Sequence, residues 1–170
     1  EAPLQSLSRE MVKESKKVLL TLIQNSTQLG ITDIVIPCVD QSSLIDSASK
    51  ERFIENIQSS IELAEQFNIN LSLETDLGPA QFVELLEMLN SSKVTVNYDT
   101  GNSASLGYEP ADELLAYGNR ISDIHIKDRK YGGGSVVLGK GDTKFKTFFK
   151  ALSRINYQGP FIMQAYRDEE

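Results

Sequence analysis

The sequence predicts an α/β fold built from parallel βαβ units. Two observations carry this reading. Stretches of helical apolar period alternate with short apolar runs rich in Val and Ile, and the connections between them are short. Strand, helix, strand, helix in that rhythm is the pattern of parallel sheets with helical crossovers. No glycine-rich turn follows the first strand, so the dinucleotide-binding fingerprint is absent. Five such strands fit either an open doubly wound sheet or part of a closed barrel.

The elements follow in order. Ser8 can cap a helix whose apolar positions include Met11, Val18, Leu19 and Leu22, running to about Leu29, with Gly30 as its terminating residue. Asp33 to Val39 reads as a buried strand, although Pro37 removes a ladder donor there. Ile54, Ile57, Ile61, Leu63 and Ala64 give an apolar face to a helix from about Ser47 to Phe67. Asn68 to Glu74 is the second strand. Pro79 opens a helix through Leu89, and Lys93 to Asp99 is the third strand. A loop with Gly101 and Gly107 leads to a short helix near Pro110–Tyr117, and Ile121–Ile126 is the fourth strand. A Gly-rich loop from Tyr131 to Asp142 precedes a helix at about Lys144–Ile155. Gly159 to Ala165 closes the chain as the fifth strand.

The chain has 170 residues and no internal break, so residues 1–170 read as one domain, long enough to bury a core. It is short for a complete (β/α)₈ barrel, which takes about 250 residues. The first residue is Glu1 rather than Met, and truncation is the favoured reading of that start. The formal net charge of −7 argues against nucleic acid as the main partner, without excluding a small anionic substrate. Cys38 is the single cysteine, so no intrachain disulfide can form, which suits a reducing cytoplasm. No apolar run of about 18 residues or signal-peptide pattern points to a membrane.

Four polar residues occupy equivalent places. Glu74 ends the second strand, Asp99 ends the third, His125 lies near the end of the fourth and Gln164 sits in the fifth. In a parallel barrel the strand ends converge on the face that carries the active site. Each interrupts an apolar run, where a polar group is costly unless paired or bound. One strand-end Glu or His is commonly a loop anchor or a satisfied polar residue; four in register across successive strands suggest a metal site. Two carboxylates, an imidazole and an amide oxygen are a mostly hard donor set. It suits Mn²⁺ first, with Mg²⁺, Co²⁺ or Zn²⁺ as other candidates.

The stretches Leu71-Ser72-Leu73-Glu74-Thr75, Asn97-Tyr98-Asp99-Thr100-Gly101-Asn102, His125-Ile126-Lys127-Asp128 and Gly139-Lys140-Gly141-Asp142-Thr143-Lys144-Phe145 resemble successive signatures of the xylose-isomerase-like barrel proteins. Within that group they look most like sugar-phosphate isomerases and epimerases of the ribulose- and hexulose-phosphate 3-epimerase type. The resemblance covers nearly the whole chain. It implies a partial (β/α)₈ TIM barrel, strands four to eight, with Glu74, Asp99 and His125 as three of four metal ligands. It also makes Glu74 one of two glutamates that exchange a proton beside the substrate carbonyl. The family usually has Glu on the last strand, as fourth ligand and second base. This chain has Gln164 there, which can offer a carbonyl oxygen but cannot act as a base at neutral pH. Gln164 with nearby Arg167 resembles a branch in which Gln is the native residue.

The expected activity is therefore isomerisation or epimerisation of a sugar or sugar phosphate through an enediolate. The alternatives are a metal-dependent dehydratase of a keto-sugar or inosose, and a non-catalytic sugar-binding barrel. The superfamily's apurinic-site endonucleases need a His-rich site that one histidine cannot supply. Lys127, Arg129 and Lys140, on the loops after the strands, and Arg167 are candidates for holding a phosphate or sugar hydroxyls. Gly132-Gly133-Gly134 can let backbone amides approach an anion, or form a mobile lid. Asp128 is expected to orient His125 or pair with Arg129, and Cys38 to lie in the core. The expected partners are a small sugar and, in a homo-oligomer, other copies of the chain, with neither nucleic acid nor membrane.

Overall fold

The computed structural model describes residues 3–164. Among these, five parallel strands form one sheet in the order β1-β2-β3-β4-β7, comprising β1 (Asp33–Cys38), β2 (Asn70–Thr75), β3 (Val94–Asp99), β4 (Ile121–Ile126) and β7 (Phe161–Met163). That order follows the chain without the reversal of a doubly wound sheet. The described residues group into two compact units. One runs to Leu77 and resumes for Gln81–Thr95; the other comprises Gly78–Ala80 and continues from Val96.

In the first unit, helix α1 (Arg9–Leu29) begins where Ser8 Oγ accepts the Met11 N–H at 3.3 Å. It stops at Gly30, whose φ of +68° is the left-handed conformation that a side chain would strain. Helix α2 (Ser47–Phe67) is capped by Asp46, which accepts the Ser49 N–H at 2.8 Å, and ends on Asn68 at φ +59°. Its face of Phe53, Ile57, Ile61 and Ala64 is buried, as are Leu71 and Leu73 of β2. β1 and β2 pair from Asp33↔Asn70 to Cys38↔Thr75. Pro37 is accommodated because β1 is an edge strand, where a missing donor interrupts no ladder. Helix α3 (Pro79–Leu89) buries Phe82, Leu85, Leu86 and Leu89.

The second unit departs from the sequence reading in several places. The expected loop around Gly101 is helix α4 (Thr100–Leu106), which starts directly off β3 because the last residue of that strand, Asp99, is its N-cap. The expected loop from Tyr131 to Asp142 contains a short antiparallel ladder, β5 (Asp128–Arg129) with β6 (Ser135–Val136). Helix α5 (Pro110–Tyr117) matches expectation, and α6 (Phe145–Leu152) is shorter than read. β7 keeps three residues of the fifth strand, pairing His125↔Ile162 and Ile126↔Met163, and Ala165 lies outside the described residues. The core here includes Tyr98 stacked on Phe148 with centroids 5.2 Å apart. Beneath it the buried Glu113 carboxylate accepts hydrogen bonds from the hydroxyls of Tyr98 and Tyr117, both at 2.8 Å, and from Ser103. Burial pushes the Glu113 carboxyl above the ordinary range, against the opposing pull of those three donors. Among the described residues, no helix is long and apolar enough to cross a membrane.

Candidate metal centre

In the first unit, Glu74 is the fifth residue of β2, half-buried, and stands opposite Pro37 in the register. Two neighbours define its surroundings. Cys38 is buried, and its thiol is pushed far up first by burial and then by the negative charges of Asp76 and Glu74, so it is a core residue and not a nucleophile. Asp76 accepts from Ser43 Oγ at 2.9 Å, and burial raises its carboxyl.

In the second unit, β3 and β4 bring Asp99 and His125 into register as direct partners. The two oxygens of Asp99 behave differently. Oδ1 accepts the N–H groups of Gly101 and Asn102, both at 2.8 Å, which fixes the carboxylate at the start of α4. Oδ2 is buried and accepts no hydrogen bond from the described residues. It lies 4.0 Å from His125 Nδ1 and 3.9 Å from Lys127 Nζ. Gln164 is placed by its own N–H, which donates to the Ile126 carbonyl at 3.1 Å, and its Nε2 lies 2.8 Å from His125 Nδ1. The two nitrogens are within hydrogen-bonding distance, and the tautomer of the imidazole sets the donor and acceptor roles. The same side chain, with its amide turned over, presents its oxygen to Nδ1.

Lys127 is held along its length. Thr100 Oγ1 donates to the Lys127 carbonyl at 2.7 Å and accepts its N–H at 2.9 Å. Gly101 leaves a channel for its stem, since a Cβ there would meet Lys127 Cγ at 3.0 Å and Arg129 Cγ at 3.1 Å. Arg129 donates from Nη1 to Asn102 Oδ1 at 2.7 Å and from Nε to the Gly133 carbonyl at 3.1 Å. Lys140 is exposed. Arg167 lies outside the described residues.

Asp128 neither orients His125 nor pairs with Arg129. Its buried carboxylate instead gathers the following loop: Oδ2 accepts the N–H groups of Gly139 and Gly141, both at 2.8 Å, and Oδ1 that of Thr143 at 3.1 Å. Three backbone donors outcompete the expected partners because they converge on one acceptor-only group. The second unit thus brings Asp99, His125, Gln164 and Lys127 together and seats Arg129 on Asn102. Sequence reasoning gave Thr100 and Asn102 no role; the one signal of their role is the run Asp99-Thr100-Gly101-Asn102 itself.

A putative L-ribulose-5-phosphate 3-epimerase of Escherichia coli is 27% identical over 94% of this chain and 61% of its own length. The structure of a D-allulose 3-epimerase from Methylomonas sp. in complex with D-allulose matches with a TM-score of 0.80, 20% identity, and coverage of 97% of this chain and 60% of that one. The structure of the IOLI protein with a binding zinc atom matches with a TM-score of 0.84, 16% identity, and coverage of 98% and 66%. The chain therefore spans about three fifths of the length of such relatives, and its five parallel strands are part of a barrel. Residues 2–170 match the family described as xylose isomerase-like TIM barrel, and the chain belongs to that family.

Proposed function

We propose that the chain is part of a divalent-metal-dependent isomerase or epimerase of a sugar or sugar phosphate, with residues 1–170 supplying strands four to eight of one barrel domain. The observation that carries this reading is Asp99 Oδ2, an oxygen of a side chain only 1% exposed that accepts no hydrogen bond from the described residues. A buried carboxylate oxygen is costly unless a cation completes it, and Lys127 Nζ at 3.9 Å is beyond hydrogen-bonding reach. The donor chemistry fits a hard divalent ion: Glu74, Asp99 and His125 can each offer one ligand atom, and Gln164 an amide oxygen. Mn²⁺ is the first candidate; the zinc reported for the IOLI protein keeps Zn²⁺ among the others. Bound there, the ion would stabilise the negative charge that develops on substrate oxygens as the neighbouring proton leaves.

The remaining roles fall to the chain's own side chains. Glu74 is the proposed base that removes the proton beside the carbonyl. Asp99 holds its bare oxygen in place through the two N–H groups bound to its other oxygen. Lys127, Arg129, Lys140 and Arg167 are the proposed substrate contacts. Gln164 cannot act as a second base. This favours one-base chemistry over two-base epimerisation: aldose–ketose isomerisation along one face, or elimination from a keto-sugar or inosose.

The test follows deuterium incorporation and product stereochemistry by NMR across candidate ketoses and their phosphates in the full protein with Mn²⁺. Exchange that stops in Glu74→Gln is the expected result. Exchange that survives in that variant shows another residue to be the base. Binding of a sugar without any exchange leaves a non-catalytic sugar-binding barrel as the function.

A further inference from the structure

The run Asp99-Thr100-Gly101-Asn102 addresses the segment that leaves β4, and its last residue ends on Arg129. Arg129 is half-buried, and both of its hydrogen-bond acceptors, Asn102 Oδ1 and the Gly133 carbonyl, are neutral. No carboxylate among the described residues pairs with it. Neighbouring Asp128 is fully engaged by the amides of Gly139, Gly141 and Thr143, and Asp142 pairs with Lys130 at 3.7 Å and accepts the Tyr131 N–H at 2.8 Å. The side chain is nevertheless built in: its stem passes the missing Cβ of Gly101, and two of its donors are fixed in direction.

A partly desolvated cation with only neutral partners is incompletely stabilised until an anion reaches it. The donors on Nη2 make no hydrogen bond among the described residues, and a guanidinium held on one side presents a planar fork to an oxyanion on the other. The field around it has the same sense. Residues 127–150 hold seven Lys or Arg against two Asp, in a chain whose formal net charge is −7.

We propose that Arg129, positioned by Asn102, is an oxyanion clamp, and that the substrate of the proposed sugar site carries an anionic group. A phosphate monoester and a sugar carboxylate share the chemistry that the fork recognises. The inference rests on the sugar-site reading and narrows it from neutral or anionic sugars to anionic ones.

The experiment uses polyols without a carbonyl, which cannot turn over, so binding is read apart from chemistry. A pentitol, its 5-phosphate and the matching pentonate are titrated by calorimetry into the full protein with Mn²⁺. At least one anionic ligand should bind roughly ten- to a hundredfold more tightly than the pentitol, the range expected for a charge-assisted hydrogen-bonded pair. The tighter of the two identifies phosphate or carboxylate as the source. Arg129→Gln should bring that preference to within about twofold, on the same scale. Arg129→Lys should keep part of it, since the charge remains and the fork is lost. Asn102→Asp places a carboxylate against Nη1 and should also erase it, while retained Mn²⁺ binding and thermal melts report an intact fold. Equal binding of all three ligands to the wild type, no binding of either anion, or a preference that survives both Arg129→Gln and Asn102→Asp would overturn the proposal. Deuterium exchange separates the two readings. Exchange without an anion preference rejects the clamp alone; an Arg129-dependent preference without exchange rejects the isomerase reading and leaves the clamp standing.

Discussion

At the scale of single residues, the candidate centre turns on an asymmetry within Asp99, one oxygen committed to backbone amides and the other buried without a hydrogen bond among the described residues. Asp99→Asn keeps the shape and the Oδ1 cap but removes the charge. Together with His125→Ala it should abolish stoichiometric Mn²⁺ binding by calorimetry, and unchanged binding in both variants would reject the centre. Gln164→Glu adds an anion beside Nδ1 and should tighten Mn²⁺ binding, read in the same titration. Away from the centre, Glu113 gives a pH signature. Its folded carboxyl lies above the ordinary value of about 4.3, so between those two values the folded chain holds a proton that the unfolded chain has lost. Stability from this group therefore rises as pH falls through that window and is level below it. Glu113→Gln should remove that slope. Thermal melts of both proteins from pH 4 to 8 decide it. The positions of Asp99 and His125 were legible because each breaks an apolar strand at its end. The partners of Asp128 and Arg129 were not, because they depend on how one loop folds back over another.

Helices α1, α2, α3 and α5 were legible from apolar period and end signals: Ser8 and Gly30 bracket the first, the face of Ile54, Ile57, Ile61 and Ala64 marks the second, and Pro opens the other two. Helix α4 was hidden by composition. Thr100, Gly101, Asn102 and Ser103 are poor helix formers, and the helix stands because Asp99 caps it and tertiary packing covers it. The β5–β6 ladder was hidden for a related reason, since two-residue strands have no readable period and their geometry follows from the loop that Asp128 gathers. That carboxyl would be raised by burial, but the amides it accepts hold it below the ordinary range. Its contribution to stability is thus present above about pH 3.9 and is lost as pH falls through the lower folded value. Asp128→Ala leaves three amides without their acceptor and should cost about 1–3 kcal/mol. Amide hydrogen exchange should rise at Gly139, Gly141 and Thr143 while α2 stays protected. Gly141→Ala should reproduce the effect, because its Cβ would fall on the Asp128 carboxylate and within 2.7 Å of the Arg129 carbonyl. Exchange unchanged at those amides would show that the loop is held by something else.

At the scale of the whole molecule, the sheet has two edge strands, and both expose apolar surface. β1 borders an open cavity of about 520 Å³ lined by Val18, Leu22, Ile34 and Ile36, and Val18 and Leu22 are nearly half exposed. On β7, Phe161, Ile162 and Met163 are all exposed, Met163 by 62%. Exposed strand edges with apolar side chains are templates for pairing with another chain, and soluble proteins ordinarily cover or charge them. In the barrel family to which the chain belongs, further strands would cover both edges, and the chain spans about three fifths of its relatives' length. We therefore expect the 170-residue chain, expressed alone, to self-associate at micromolar concentration. Light scattering coupled to size exclusion measures this directly. Ile162→Lys and Val18→Lys place a charge on the β7 edge and in the cavity beside β1, and each should lower the associated fraction, with the double variant lowest. A wild-type chain that stays monomeric across the concentration range, with no response to either lysine, would show that these edges are not the sticky surfaces that their side chains indicate.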